Sequence, residues 1–290
     1  MTNIINFKNW DQELFEEEYE DNFDDFEDDM IAMAQEDGSS LYDLYDSCKQ
    51  WIILKIIKNE ASHEELTRYF RYAMQSLYGH IVTLEHLGEE QEIWVADKKV
   101  HIKKETSVSY KSVDTLIDFL NITAICRCKE ALEAIFRQDG TGPFLDNPNA
   151  VKSYYYDYYF LERSLDKVDN AIIQRELEIG NQKAEKFYKN DAEFKEWYPA
   201  IYIPLSELKH EFFLGDEASF NEKLQIALNK NRSYYDDPKG RYANLENWIP
   251  WELIAFACRA YDKGWNITVE DSRLPKFLIE GKCNVGSLAP

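Results

Sequence analysis

With 290 residues, 44% of them hydrophobic and 14% aromatic, the chain is long and apolar enough to bury a sizeable core in one large domain or two smaller ones. Its formal net charge of −21 argues against direct nucleic-acid binding and against anionic membranes, because basic residues neither cluster nor outnumber acids. The longest apolar stretches, such as Trp51-Ile52-Ile53-Leu54, are far too short to span a bilayer.

The charge is concentrated. From Asn9 to Cys48 there is no Lys or Arg, and 16 Asp or Glu residues supply −16 of the total −21. Within this acidic segment Phe15, Tyr19, Phe23, Phe26, Met30 and Met33 follow at steps of four, four, three, four and three, which describes one face of an α-helix with acids on its other faces. Blocks of like charge are commonly disordered, so the helix competes with a solvated tail; the aromatic spacing favours a docked helix. Seven like-charge pairs four residues apart, from Glu13–Glu17 to Asp25–Asp29, oppose that helix by on the order of 1.5–3.5 kcal/mol in sum. Burial of the aromatic stripe offsets the repulsion, but stability does not explain the acids. They are either a solubilising face or a docking surface for a basic protein, whose encounter complementary charge would speed.

Asp37-Gly38-Ser39-Ser40 ends this segment, and Ser40 can cap a helix to about Asn59 with Leu41, Leu44, Tyr45, Cys48 and Ile52 on its apolar face. Ser62 and Glu65 form a capping box opening a helix to about Leu87. The period then changes: Ile93, Val95, Val100 and Ile102 flank Ala96-Asp97-Lys98-Lys99 as a short β-hairpin. One helix is predicted from about Ser112 to Gln138, ended by Gly140-Thr141-Gly142-Pro143. Val151 to Lys167 carries the aromatic run Tyr154, Tyr155, Tyr156, Tyr158, Tyr159 and Phe160, read as either core packing or an exposed aromatic patch. A helix over Asp169 to Asn190 follows, and Pro199 and Pro204 split or kink the next segment before Ser206 to Leu214. Further helices are expected at Glu217 to Tyr235 and Pro250 to Lys263, the last with Gly264 as its C-terminal cap. A short extended piece, Asn266 to Val269, and the tail Leu274 to Ile279 close the pattern. The expected fold class is mainly α: irregular stacked helical hairpins, α-solenoid-like, with one short β-hairpin near 93–102, forming a single helical domain over 1–290.

Motifs that carry chemistry are scarce. There is no glycine-rich phosphate loop, no His-Glu-x-x-His and no Gly-x-Ser-x-Gly elbow. His80 and His86, with Glu85, come nearest to a metal cluster, but six residues apart they lie on different sides of one helix and read as surface or packing histidines. His63, His101 and His210 have no partner that the sequence identifies. Cys126 and Cys128, two apart on a predicted helix, point away from each other and read as buried thiols. Five cysteines without framework spacing, and no secretory pattern between Met1 and Lys8, lead to the expectation of reduced thiols in a cytoplasmic protein. No catalytic residue, cofactor or metal is expected.

The region 220–281 carries a resemblance. It contains Phe220-Asn221-Glu222-Lys223-Leu224, Asn231-Arg232-Ser233-Tyr234-Tyr235, Ile254-Ala255-Phe256-Ala257-Cys258-Arg259-Ala260-Tyr261-Asp262-Lys263-Gly264 and Val269-Glu270-Asp271-Ser272-Arg273-Leu274-Pro275. This resembles the C-terminal part of the immunity protein 49 family, where an "ALACLAYDRG" helix leads into a "VESDYLP" segment; Arg259 and Asp271 depart from that pattern. The hairpin and Ile125-Cys126-Arg127-Cys128-Lys129-Glu130-Ala131-Leu132 resemble the family's central region, so the likeness covers about two thirds of the chain and leaves out the acidic segment 9–48.

The resemblance implies a non-enzymatic immunity protein of a bacterial polymorphic-toxin system, one that binds a cognate toxin domain and blocks it. Tyr261, Asp262 and Gly264 then read as structural, with Gly264 at a helix end and Asp262 tying down the following loop. The candidate toxin-binding residues are the carboxylates Glu16, Glu17, Glu20, Asp21, Asp24, Asp25, Asp28 and Asp29. The expected partner is a toxin with a basic surface, of which the nucleic-acid cleft of a nuclease is one form. A helical scaffold or adaptor, and a toxin-modifying enzyme, are the alternatives.

Overall fold

A computed structural model describes residues 26–36, 38–58, 61–86, 88–102, 113–136, 169–189, 192, 194–236 and 245–290. Among these residues the chain forms α1 (Phe26–Glu36), α2 (Leu41–Lys58) after a 3-10 turn at Gly38–Ser40, α3 (His63–Glu85), a hairpin of β1 (Gln91–Val95) and β2 (Lys98–Ile102), α4 (Val113–Cys126) and α5 (Lys129–Phe136). It continues with α6 (Asn170–Tyr188), a π-helical turn Tyr198–Tyr202 running into α7 (Ile203–Leu214), α8 (Glu217–Tyr235), a 3-10 turn Leu245–Trp248, α9 (Trp251–Asp262) and the single turn α10 (Lys276–Ile279). The mainly α class with one antiparallel hairpin is therefore correct.

Helix pairs α2/α3 and α7/α8 pack closely, and α9 lies against α4, α7 and α8. Leu41, Leu44, Tyr45, Cys48 and Ile52 of α2 are all buried, as their spacing requires. On α3, Leu66, Phe70, Ala73, Leu77 and Ile81 are buried as well. Each such large apolar side chain contributes about 1.5–3 kcal/mol on burial. Ser62 caps α3 by accepting from the Glu65 N–H at 3.1 Å. Toward its C-terminal end, Gly79 lets the hairpin approach: a Cβ there would lie 2.3 Å from Ile93 Cδ1.

The hairpin turn is shorter than its sequence suggests. Val95 pairs with Lys98, so only Ala96 and Asp97 turn, with φ of +46° and +63°. That is a type I′ geometry matched to strand twist, unusual in having no glycine. Asp97 is clamped in it by Arg71, whose Nε donates at 2.6 Å and whose Nη2 also bonds the carboxylate. Gln75 accepts from the Asp97 N–H at 3.0 Å and donates to the Leu288 carbonyl at 2.7 Å. Tertiary bonds thus hold a turn that local propensity disfavours.

The single helix expected over Ser112 to Gln138 is two helices. Arg127 has φ of +53° and breaks the chain between α4 and α5, so Cys126 and Cys128 flank a corner. Neither glycine nor proline marks the break. Pro199 and Pro204, by contrast, interrupt less than expected: Pro199 sits at the start of the π-helical turn and Pro204 in the first turn of α7, where a missing N–H costs little. The rings of Phe194, Trp197, Tyr198 and Tyr202 surround Tyr188 at 5.0–6.2 Å, docking the end of α6.

Gly264 (φ +95°) closes α9 in a Schellman motif: its N–H bonds Tyr261 O at 2.9 Å, and Trp265 N–H bonds Ala260 O at 3.0 Å. Asn266 to Val269 joins no strand; instead the Asn221 side chain donates to Asn266 O at 2.9 Å and accepts from Thr268 N–H at 2.8 Å. The C-terminal stretch then returns across the first half of the fold. Val285 N–H bonds Cys126 O at 3.0 Å, and Ser287 Oγ donates to Glu130 at 2.8 Å. One hydrophobic cluster runs from Met30 to Leu288. The segment Val151 to Lys167, with its aromatic run, lies outside the described residues.

Candidate functional site

Of the eight candidate carboxylates, Glu16, Glu17, Glu20, Asp21, Asp24 and Asp25 lie outside the described residues. Asp28 and Asp29 stand in the first turn of α1, both exposed. α1 docks on the hairpin and on α2 through Met30 and Ala34, which are fully buried; the Cys48 thiol lies 3.9 Å from the Met30 sulfur. Met33, placed on the buried stripe by its spacing, is 43% exposed. A helix advances by 100° per residue, so Met33 falls ~60° to one side of Met30 and Ala34 ~40° to the other.

The outward face of α1 therefore presents Asp28, Asp29, Met33 and Glu36. Asp28 lies 3.4 Å from Lys98 of β2, with side chains 82% and 60% exposed, a pairing that contributes little. Glu27, which the sequence did not separate from its acidic neighbours, is the carboxylate that binds the helix down. Tyr72 donates to it at 2.9 Å and Arg68 lies 3.7 Å away. On the hairpin Lys99 donates to Glu92 at 2.6 Å, and that bond holds the Glu92 carboxyl below the usual carboxylate range. The acids of α1 thus divide between one anchoring residue and an outward set that no internal contact requires.

The histidines have packing or single-partner roles. His80 is buried, its ring 5.5 Å from Tyr42; His63 stacks on Phe277 at 4.9 Å; His86, His101 and His210 each lie near one carboxylate. Among the described residues, no group of three or more His, Cys, Asp or Glu side chains is placed to hold a metal ion. All five cysteines are free and buried. Burial pushes the Cys258 thiol up to about 12, and burial followed by the neighbouring Cys128, Cys283 and Cys258 raises Cys126 as well. Such thiols are poor nucleophiles at neutral pH.

The residues that carry the family likeness are structural. Asp262 does not tie down its own following loop but reaches across to Arg127, with Nε to Oδ2 at 3.1 Å. Arg127 also donates to the carbonyls of Ile125 (2.8 Å), Leu278 (2.6 Å) and Ile279 (2.5 Å). One guanidinium thus joins the α4–α5 corner, the end of α9 and the end of α10. A second hub forms where the pattern is departed from. Arg273, 1% exposed, donates to Asn231 Oδ1 and Leu228 O, each at 2.7 Å, and lies 3.4 Å from Asp271. Asp271 also accepts from Arg232 at 2.9 Å. The unusual Asp271 is thereby explained: it is the counter-charge to two arginines, one of them buried.

No helix among the described residues is long and apolar enough to cross a membrane. Neither a curated protein nor a solved structure matches the chain. A family model described as Immunity protein 49 matches residues 60–278, roughly three quarters of the length, and covers both arginine hubs, the hairpin and all helices from α3 to α9. On that match the chain belongs to the immunity protein 49 family.

Proposed function

We propose that this protein neutralises a cognate toxin domain by binding it stoichiometrically and covering its working surface, without catalysis. The family match over residues 60–278 carries this reading. The acidic segment supplies the mechanism: carboxylates from Glu16 to Asp29 face a basic toxin surface, and where the toxin is a nuclease they stand where substrate phosphates would lie. Support comes from α1, which is anchored through Glu27, Met30 and Ala34 while Asp28 and Asp29 point outward. The proposal includes a cytoplasmic location and one domain over 1–290, consistent with buried free thiols and a continuous core.

Charge reversal tests the acidic surface. The triple change Glu17→Lys, Asp21→Lys and Asp24→Lys, and separately Asp28→Lys with Asp29→Lys, are expected to slow association with the toxin encoded beside this chain by about tenfold or more and to flatten its salt dependence. Stopped-flow association at two ionic strengths and survival of toxin-expressing cells are the readouts. Unchanged rates and full protection by both variants would contradict a role for this surface.

A further inference from the structure

A cavity of about 240 Å³ lies where α4, the π-helical turn with α7, α8 and the start of α9 converge. Its position lies wholly within the region matched by the family model, in contrast to the acidic helix. The volume is below that of pockets for drug-sized ligands and suits a single long side chain. The wall combines two carboxylates, Asp118 and Glu252, with the rings of Trp197 and Trp251 and the carboxamides of Asn121 and Asn231.

Each carboxylate is backed by a buried lysine that does not itself line the cavity. Lys49 Nζ is 3.7 Å from Asp118 and Lys209 Nζ is 3.8 Å from Glu252, the lysine side chains being 8% and 4% exposed. Those separations are ion-pair distances, longer than a hydrogen bond. The lysines stand behind the carboxylates, while the carboxylates form the wall. Asn231 is fixed by Arg273, so the second arginine hub also shapes this site. The Trp251 indole N–H is buried and makes no hydrogen bond among the described residues.

A wall that combines carboxylates, carboxamides and two indole rings favours a planar cation. A guanidinium stacks on aromatic faces, is weakly hydrated, and spreads five donors over several acceptors; an ammonium offers neither the plane nor the fork. The chain's overall charge of −21 would draw such a partner in. Resting on the immunity reading above, we infer that this cavity receives an arginine side chain of the cognate toxin and serves as the central anchor of the complex, with the acidic helix acting on encounter. Arginine in an aromatic pocket is the kind of contact on which interface affinity concentrates.

The test needs no toxin. The full-length protein, labelled with nitrogen-15, is titrated with N-acetyl-arginine amide, and separately with the uncharged citrulline analogue, following the indole N–H resonances of Trp197 and Trp251. The arginine compound is expected to shift both, saturating on the order of 1 mM. Citrulline should bind about tenfold or more weakly, as should arginine to Glu252→Gln. Because removing a carboxylate beside Lys209 risks the fold, Ala227→Leu is the companion variant: Ala227 lines the cavity on α8, and the larger side chain should abolish the shifts by filling it. No shift at these indoles, equal binding of citrulline, or undiminished binding to Ala227→Leu would overturn the assignment. The immunity reading would then still stand on its own protection assay.

Discussion

Replacing Arg273 with alanine is expected to destabilise the protein by about 3–5 kcal/mol, seen as a lower urea midpoint at unchanged slope. The side chain is 1% exposed and its two Nη groups each donate at 2.7 Å, to Asn231 Oδ1 and Leu228 O. Burial pushes its pKa down and Asp271 opposes that shift. Removing it strands a carbonyl, a carboxamide and part of a buried carboxylate, and opens a cavity beside α8. Asp271→Ala should be of similar size, since Asp271 is 5% exposed and faces both Arg232 and Arg273. Arg273→Lys should fall between, keeping charge but losing the fork. A loss under about 1 kcal/mol for Arg273→Ala would show that the hub is not a structural centre.

Arg127→Ala is the second large effect, also expected at about 3–5 kcal/mol. The guanidinium is 12% exposed and satisfies three main-chain carbonyls besides Asp262. Here backbone and side chain can be separated. Arg127 has φ of +53°, so Arg127→Gly removes the same side chain but relieves the left-handed backbone. Glycine should therefore retain roughly 1 kcal/mol more stability than alanine. Asp262→Asn should cost less than either, because Asp262 is 45% exposed and the three carbonyl bonds remain. Equal losses for glycine and alanine would contradict backbone strain at this corner.

Local signals with a tertiary consequence confined to one turn were legible. Ser62 caps α3 and Gly264 closes α9 because each needs only its own helix end. The corner at Arg127 was not, since nothing within the segment breaks the helix; distant carbonyls at 278 and 279 reward the bend. The same holds for Ala96 and Asp97, whose turn is held by Arg71 and Gln75 some two dozen residues away. Met33 misled because a stripe of steps three and four has two edges, and the sequence does not say which edge is buried. Of the candidate surface, Asp28 and Asp29, which are exposed, were readable as acids. The anchoring of Glu27 by Tyr72 was not, nor was the cavity, whose wall is gathered from residues 117 to 253.

The most direct measurement is a titration of the purified toxin domain, fixed well above the dissociation constant, with increasing amounts of this protein. Toxin activity should fall linearly and reach zero at one equivalent, independent of incubation time, and the mixture should elute as a single complex. Neutralisation that continues with time at a small fraction of an equivalent would instead identify an enzyme that modifies the toxin, and undiminished activity at excess would contradict immunity by occlusion.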